Sequence, residues 1–108
     1  MLSANQDIKL EQGARWEQLI SISPSEYSLV GKTVYCKIVG QDTTIEMTES
    51  NGKITVDRIA GTITLILTTQ ETSSFTNKRQ YKLEILENGE VDRVLRGYII
   101  PILDVTWT

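Results

Sequence analysis

The sequence predicts an all-β fold, an antiparallel β-sandwich of about seven to eight short strands. Three observations predict it. No helix-period pattern of apolar residues persists anywhere in the 108 residues. Period-two alternation recurs instead, and turn residues, including Asn51-Gly52 and Asn88-Gly89, interrupt it at short intervals. A chain of this length is expected to be one domain, spanning 1–108, with a core large enough to need neither disulfide nor metal. With 40% hydrophobic and 23% charged residues, and only two prolines, its composition is that of a globular domain rather than a disordered one.

The elements follow in order. Asp7 to Glu11 alternates Ile8 and Leu10 against charged neighbours, and Gln12-Gly13 reads as a bend. Ala14 to Ile22 places Trp16, Ile20 and Ile22 on one face, interrupted by Gln18, with Leu19 opposite. Trp16 is expected to anchor the core, because its ring buries so much area. Ser23-Pro24-Ser25-Glu26 breaks the pattern, and a loop through Leu29 and Val30 reaches Gly31. From Lys32 to Val39, Val34, Cys36 and Ile38 share one face. Cys36 therefore reads as a small core residue.

Thr43 to Thr48 carries Ile45 and Met47 inward, and the first Asn-Gly turn leads to Ile54-Thr55-Val56. Thr62 to Thr68 sets Ile63, Leu65 and Leu67 on one face and Ile66 on the other. The polar run from Thr69 to Phe75 is the one segment expected to form a helical turn, capped by Thr69 or Thr72, with Phe75 tucked under the sheet. Tyr81, Leu83 and Ile85 alternate into the second Asn-Gly turn. The closing strand carries Arg93 and Arg96 on opposite faces. Its Gly97 marks a bulge or a point of close approach by a neighbour, and Pro101 stops pairing at an edge or strand end.

The residue inventory offers little for catalysis. There is no histidine and a single cysteine, which removes Ser-His-Asp and Cys-His arrangements, CxxC pairs and intrachain disulfides. The seven glycines stand singly at bends and form no phosphate loop. Asp42, Glu46 and Glu49 offer oxygens, but their spacing matches no calcium loop. No metal or cofactor is expected, and no enzymatic activity. The net charge is −3, with the eleven Lys and Arg scattered, so nucleic acid is not the expected partner. The first twelve residues do not read as a signal peptide, and no apolar run approaches the ~20 residues of a membrane span. Folding in a cytoplasm is the expectation.

An ordered set of motifs runs along the chain. Leu10-Glu11-Gln12-Gly13 precedes Arg15-Trp16, and Ser28-Leu29-Val30-Gly31-Lys32-Thr33-Val34 leads into Lys37. Gly61-Thr62-Ile63-Thr64-Leu65 precedes Thr68-Thr69-Gln70-Glu71-Thr72. Tyr81-Lys82-Leu83-Glu84-Ile85, Asn88-Gly89 and Val94-Leu95-Arg96-Gly97 complete the series. This order, from Asp7 to Val105, resembles the small immunoglobulin-like β-sandwich proteins of tailed phages and prophages, among them the N-terminal domain of the phage baseplate upper protein. Those proteins often carry Asp where this chain has Lys82.

The resemblance implies an immunoglobulin-like sandwich and a virion structural role, as a tail, baseplate or tail-fibre attachment protein assembled in the host cytoplasm. It implies other tail or fibre proteins as partners, in a homo-oligomer or multi-copy ring, with no catalytic residues and no membrane partner. A head-tail completion or capsid-decorating protein belongs to the same class. From the residues alone, a carbohydrate- or host-surface-binding module is the alternative, with Tyr27, Tyr35 and Tyr98 as candidate platforms. The segment 102–108 is more apolar than an exposed terminus needs. It either completes a strand of its own sandwich or docks on a neighbour. Tyr98, Ile102, Leu103, Val105 and Trp107 are the candidate partner contacts.

Overall fold

The computed structural model describes residues 2–40 and 44–102. Within them run β1 (Leu2–Asn5), β2 (Ile8–Glu11), β3 (Trp16–Ser21), β4 (Thr33–Val39), β5 (Thr44–Thr48), β6 (Ile54–Asp57) and β7 (Thr62–Leu67). After these come α1 (Thr69–Ser73), β8 (Arg79–Glu87) and β9 (Glu90–Ile102). They form two sheets. One has the order β1-β9-β8-β4-β5, with β2 also paired to β9, and the other has the order β3-β7-β6. The chain crosses between the sheets after β2, β3, β5 and β7, as in an immunoglobulin-like β-sandwich.

The alternation read from the sequence decides what is buried. Val34, Cys36 and Ile38 of β4 meet Tyr81, Leu83 and Ile85 of β8, while Ile63, Leu65 and Leu67 of β7 close over them from the other sheet. Trp16 is buried and donates its indole N–H to the Lys9 carbonyl at 3.3 Å, so β3 is tied to the strand before it. Leu29, in the loop before β4, is fully buried and plugs the sandwich from one end. Phe75 plugs it beyond α1, as expected.

Four sequence expectations change. Pairing is not wholly antiparallel: β1 and β2 both run parallel to β9, whose thirteen residues are long enough to recruit two short strands. β1, with the sequence LSAN, is only four residues long and was not expected at all. The cap of α1 is Thr68, neither Thr69 nor Thr72. Extended backbone at Thr68 (φ −77°, ψ 163°) lets its hydroxyl accept from the Glu71 N–H, while the Glu71 carboxylate accepts from the Thr68 N–H, a reciprocal capping box. Thr72 is buried and donates its hydroxyl to the Ala14 carbonyl at 2.8 Å.

The fourth change concerns β9. Asn88 (φ 54°) and Gly89 (φ 81°) make the expected two-residue turn, but the register irregularity lies near that turn rather than at Gly97, between Ile85 and Leu86 opposite Asp92. Gly97 is a point of close approach, and the neighbour is the chain's own Gln6 carbonyl. A Cβ there would lie 2.1 Å from that oxygen. Pro101 stays within β9, paired beside Leu10 at the strand's penultimate position.

Candidate functional site

The residues that alternate away from the core build the outer face of the larger sheet. Tyr35, Lys37 and Val39 point outward from β4, Gln80, Lys82 and Glu84 from β8, and Arg96 and Tyr98 from β9. Register then aligns three cations. Lys37 stands opposite Lys82 and Lys82 opposite Arg96, with Glu46 and Asn5 at the two ends of the row. Adjacent strands lie ~4.8 Å apart, so the three positive groups crowd into about 10 Å. The face is concave around them and encloses a groove of about 540 Å³, lined also by Tyr35 and Tyr98.

Like charges directly opposite on neighbouring strands repel. Relief within the chain is slight. Lys82 approaches Glu84 at 3.8 Å, an exposed and weak pair. Among the described residues Lys37 and Arg96 form no ion pair. Burial, then the Glu46 carboxylate beside it, raises the Tyr35 pKa, so the phenol stays protonated as a hydrogen-bond donor. The Tyr98 ring lies under the Lys78 ammonium at 4.6 Å, and its backbone N–H donates to Asp7 Oδ1 at 3.0 Å. Three cations, two phenols and the amides of Asn5 and Gln80 form a surface suited to holding anionic groups.

The residues singled out from sequence are placed as follows. Tyr35 and Tyr98 share this groove. Tyr27 does not: its hydroxyl donates to Asp92 and its ring lies 3.8 Å from the Arg93 guanidinium. Burial and the Asp92 carboxylate push its pKa up to about 12. Arg93 and Arg96 lie on opposite faces, as expected, yet Arg96 belongs to a basic row that sequence reading missed. Its members are far apart in the chain, and only strand register joins them. Ile102 ends β9, half exposed. Leu103, Val105 and Trp107 lie outside the described residues, as does Asp42. Glu49 is held by a forked pair from Arg58 at 3.0 and 2.7 Å. Cys36 is fully buried, and burial pushes its thiol up to about 12, away from reactivity.

The architecture is that of an immunoglobulin-like β-sandwich, and solved structures agree. The extracellular domain of the voltage-gated sodium channel beta4 subunit, described as forming parallel homodimers that explain its role in cell–cell adhesion, superposes with a TM-score of 0.59. It is 11% identical, and the match covers 94% of this chain and 93% of that one. InlP of Listeria monocytogenes gives a TM-score of 0.59 at 16% identity, over 93% of this chain and 27% of that one. A Bacteroides vulgatus protein provisionally assigned as a glycoside hydrolase gives 0.54 at 10% identity, over 91% of this chain and 17% of that one. At such identities the likeness is one of fold. No protein-family model matches the chain, and no curated protein matches it.

Proposed function

We propose that this chain is a non-enzymatic structural component of a tailed-phage virion, a tail, baseplate or fibre-attachment protein that works through protein–protein contacts. The observation that carries the reading is where the phage-like motifs fall. Gly61, opening the Gly-x-Ile-x-Leu strand, lies where a Cβ would meet the Ile22 carbonyl oxygen at 2.1 Å. Thr68 and Glu71 form the capping box, and Gly97 admits the Gln6 carbonyl. Tyr81 donates its hydroxyl to that same carbonyl at 2.6 Å. The motif residues thus hold a sandwich together, as the signature of a scaffold should. Edge strands β3, β5 and β6 leave backbone groups for partners. Quantitative mass spectrometry of purified particles of the encoding phage tests the reading. It predicts a fixed, multi-copy stoichiometry relative to the major tail protein, and a chain absent from the particles overturns it.

A second reading rests on the groove itself. Tyr35, Tyr98, Lys37, Lys82 and Arg96 on one concave face suit an acidic glycan of a host surface. Binding on an array of acidic glycans, lost in Lys82→Glu, would favour it. Silence on that array together with incorporation into particles favours the structural role alone.

A further inference from the structure

The row Lys37–Lys82–Arg96 carries a conflict that the chain itself does not resolve. Like charges stand in register on three neighbouring strands, and among the described residues neither Lys37 nor Arg96 has a carboxylate partner. Local conflicts of this kind concentrate at functional sites.

The groove is also polarised along its strands. On one side of the row Glu84 lines it, and Glu46 stands beside the Tyr35 phenol. On the other side lie Gln80 and Tyr98, with the Lys78 ammonium 4.6 Å from the Tyr98 ring. Gln80 is four positions from Glu84 (84 minus 80), about 14 Å along the strand. A ligand with anionic groups throughout would bring some of them against Glu84. One with a single anionic group and several hydroxyls suits both ends, because a carboxylate accepts from hydroxyls while the cations hold the anion.

Topology separates a sugar from a peptide. β4, β8 and β9 each have a neighbour on both sides, so their backbone groups are already paired. An acidic peptide could not add to this face as a strand, and would lose the main-chain pairing that gives such segments their affinity. A sugar is held by side chains alone.

We propose that the groove takes a single carboxylate-bearing sugar, with its carboxylate across Lys82 and Arg96 and its hydroxyls turned to Glu84, Gln80 and Asn5. The forked Arg96 guanidinium suits a carboxylate bidentately, and the exposed Tyr98 ring offers an apolar wall to the sugar's C–H face. Lys37 adds to the field that draws the anion in. The inference rests on the groove being an acidic-glycan site and deepens that reading by naming the sugar class and its orientation.

Amide chemical-shift titrations of the full chain test it, with N-acetylneuraminic acid, galacturonic acid, galactose and hexaglutamate as probes. At least one acidic sugar should move the Lys82, Arg96 and Tyr98 amides saturably, the tighter of the two naming the source, and galactose should not. Arg96→Gln, at an exposed position where the change also relieves repulsion, should weaken the acidic sugar roughly tenfold or more. Glu84→Ala should act in opposite directions, weakening the sugar through a lost hydroxyl acceptor and tightening hexaglutamate through a lost repelling charge. Tightening of both overturns the proposal, because the site is then a bare anion site. Galactose bound as tightly as the acidic sugars overturns it too, and hexaglutamate bound more tightly than either gives the groove to an acidic peptide. Binding on an acidic-glycan array that Lys82→Glu abolishes, with no shift from either single sugar, sinks the single-sugar site and leaves the glycan reading standing. Silence of the array as well removes both.

Discussion

Gly97 and Gln6 touch so closely that no side chain fits between them: a Cβ on Gly97 would stand 2.1 Å from the Gln6 carbonyl oxygen. Around this contact the Gln6 N–H donates to the Arg96 carbonyl at 2.9 Å and the Tyr98 N–H to Asp7 Oδ1 at 3.0 Å. The step from β1 to β2 is thereby pinned onto β9. Backbone cannot yield as a flexible side chain can, so Gly97→Ala should cost about 2–4 kcal/mol of stability by urea unfolding. A variant of wild-type stability would mean that the N-terminal strands are not held there.

Tyr81→Phe tests the same junction from the core side. It removes the hydroxyl that donates to the Gln6 carbonyl at 2.6 Å and leaves that oxygen short of a partner. The expected loss is about 1–3 kcal/mol. Because both substitutions act on one carbonyl, the double variant should lose less than the sum, read from a double-mutant cycle.

The pH dependence is predicted on the alkaline side. Burial pushes Cys36 up to about 12 from 9.0, and burial pushes Tyr81 up to about 12 from 10.0. A raised folded pKa means that the stability tied to the neutral form is complete below the unfolded value and lost as pH rises through the folded one. Stability should therefore decline between about pH 9 and 12, and Cys36→Ala should flatten the lower part of that decline. Native Cys36 should also resist a disulfide reagent at neutral pH until the chain unfolds. Rapid labelling without unfolding would contradict its place in the core.

At Glu71 the sign reverses. Burial alone would raise its pKa, but the Lys53 ammonium and the Thr68 N–H outweigh burial and hold it below the usual value. Its contribution is present above the unfolded carboxylate pKa and lost as pH falls through the lower folded one. Glu71→Gln should remove part of the acid-side decline, and Thr68→Ala should cost about 1 kcal/mol through the lost cap. Thermal unfolding at pH 7 and pH 3 checks both.

The row of cations makes a prediction with two readouts. Lys82 stands between Lys37 and Arg96, so Lys82→Gln should relieve repulsion and raise stability by about 0.2–1 kcal/mol. The same change should weaken binding of a polyanion such as heparin, in a salt-dependent way. Destabilisation would mean that the Glu84 contact outweighs the crowding.

Most strands were legible because one face of each is buried, and burial imposes alternation: Val34, Cys36 and Ile38 could be read directly. β1 was not legible, because four residues with one large apolar side chain are too short a signal and owe their place to pairing with β9. The cap at Thr68 was missed by one residue, since the neighbouring threonines look alike and only the extended backbone of Thr68 sets them apart. The basic row comes from strand register, a relation between distant segments. Tyr98 could be picked out alone, whereas its groove neighbours could not.

The proposed role as a structural protein of the phage tail is tested most directly by immunogold electron microscopy of intact particles. An antibody to this chain should decorate the tail, baseplate or fibre junction at one recurrent position. Particles left unlabelled, with the chain confined to the soluble fraction of the lysate, would contradict it.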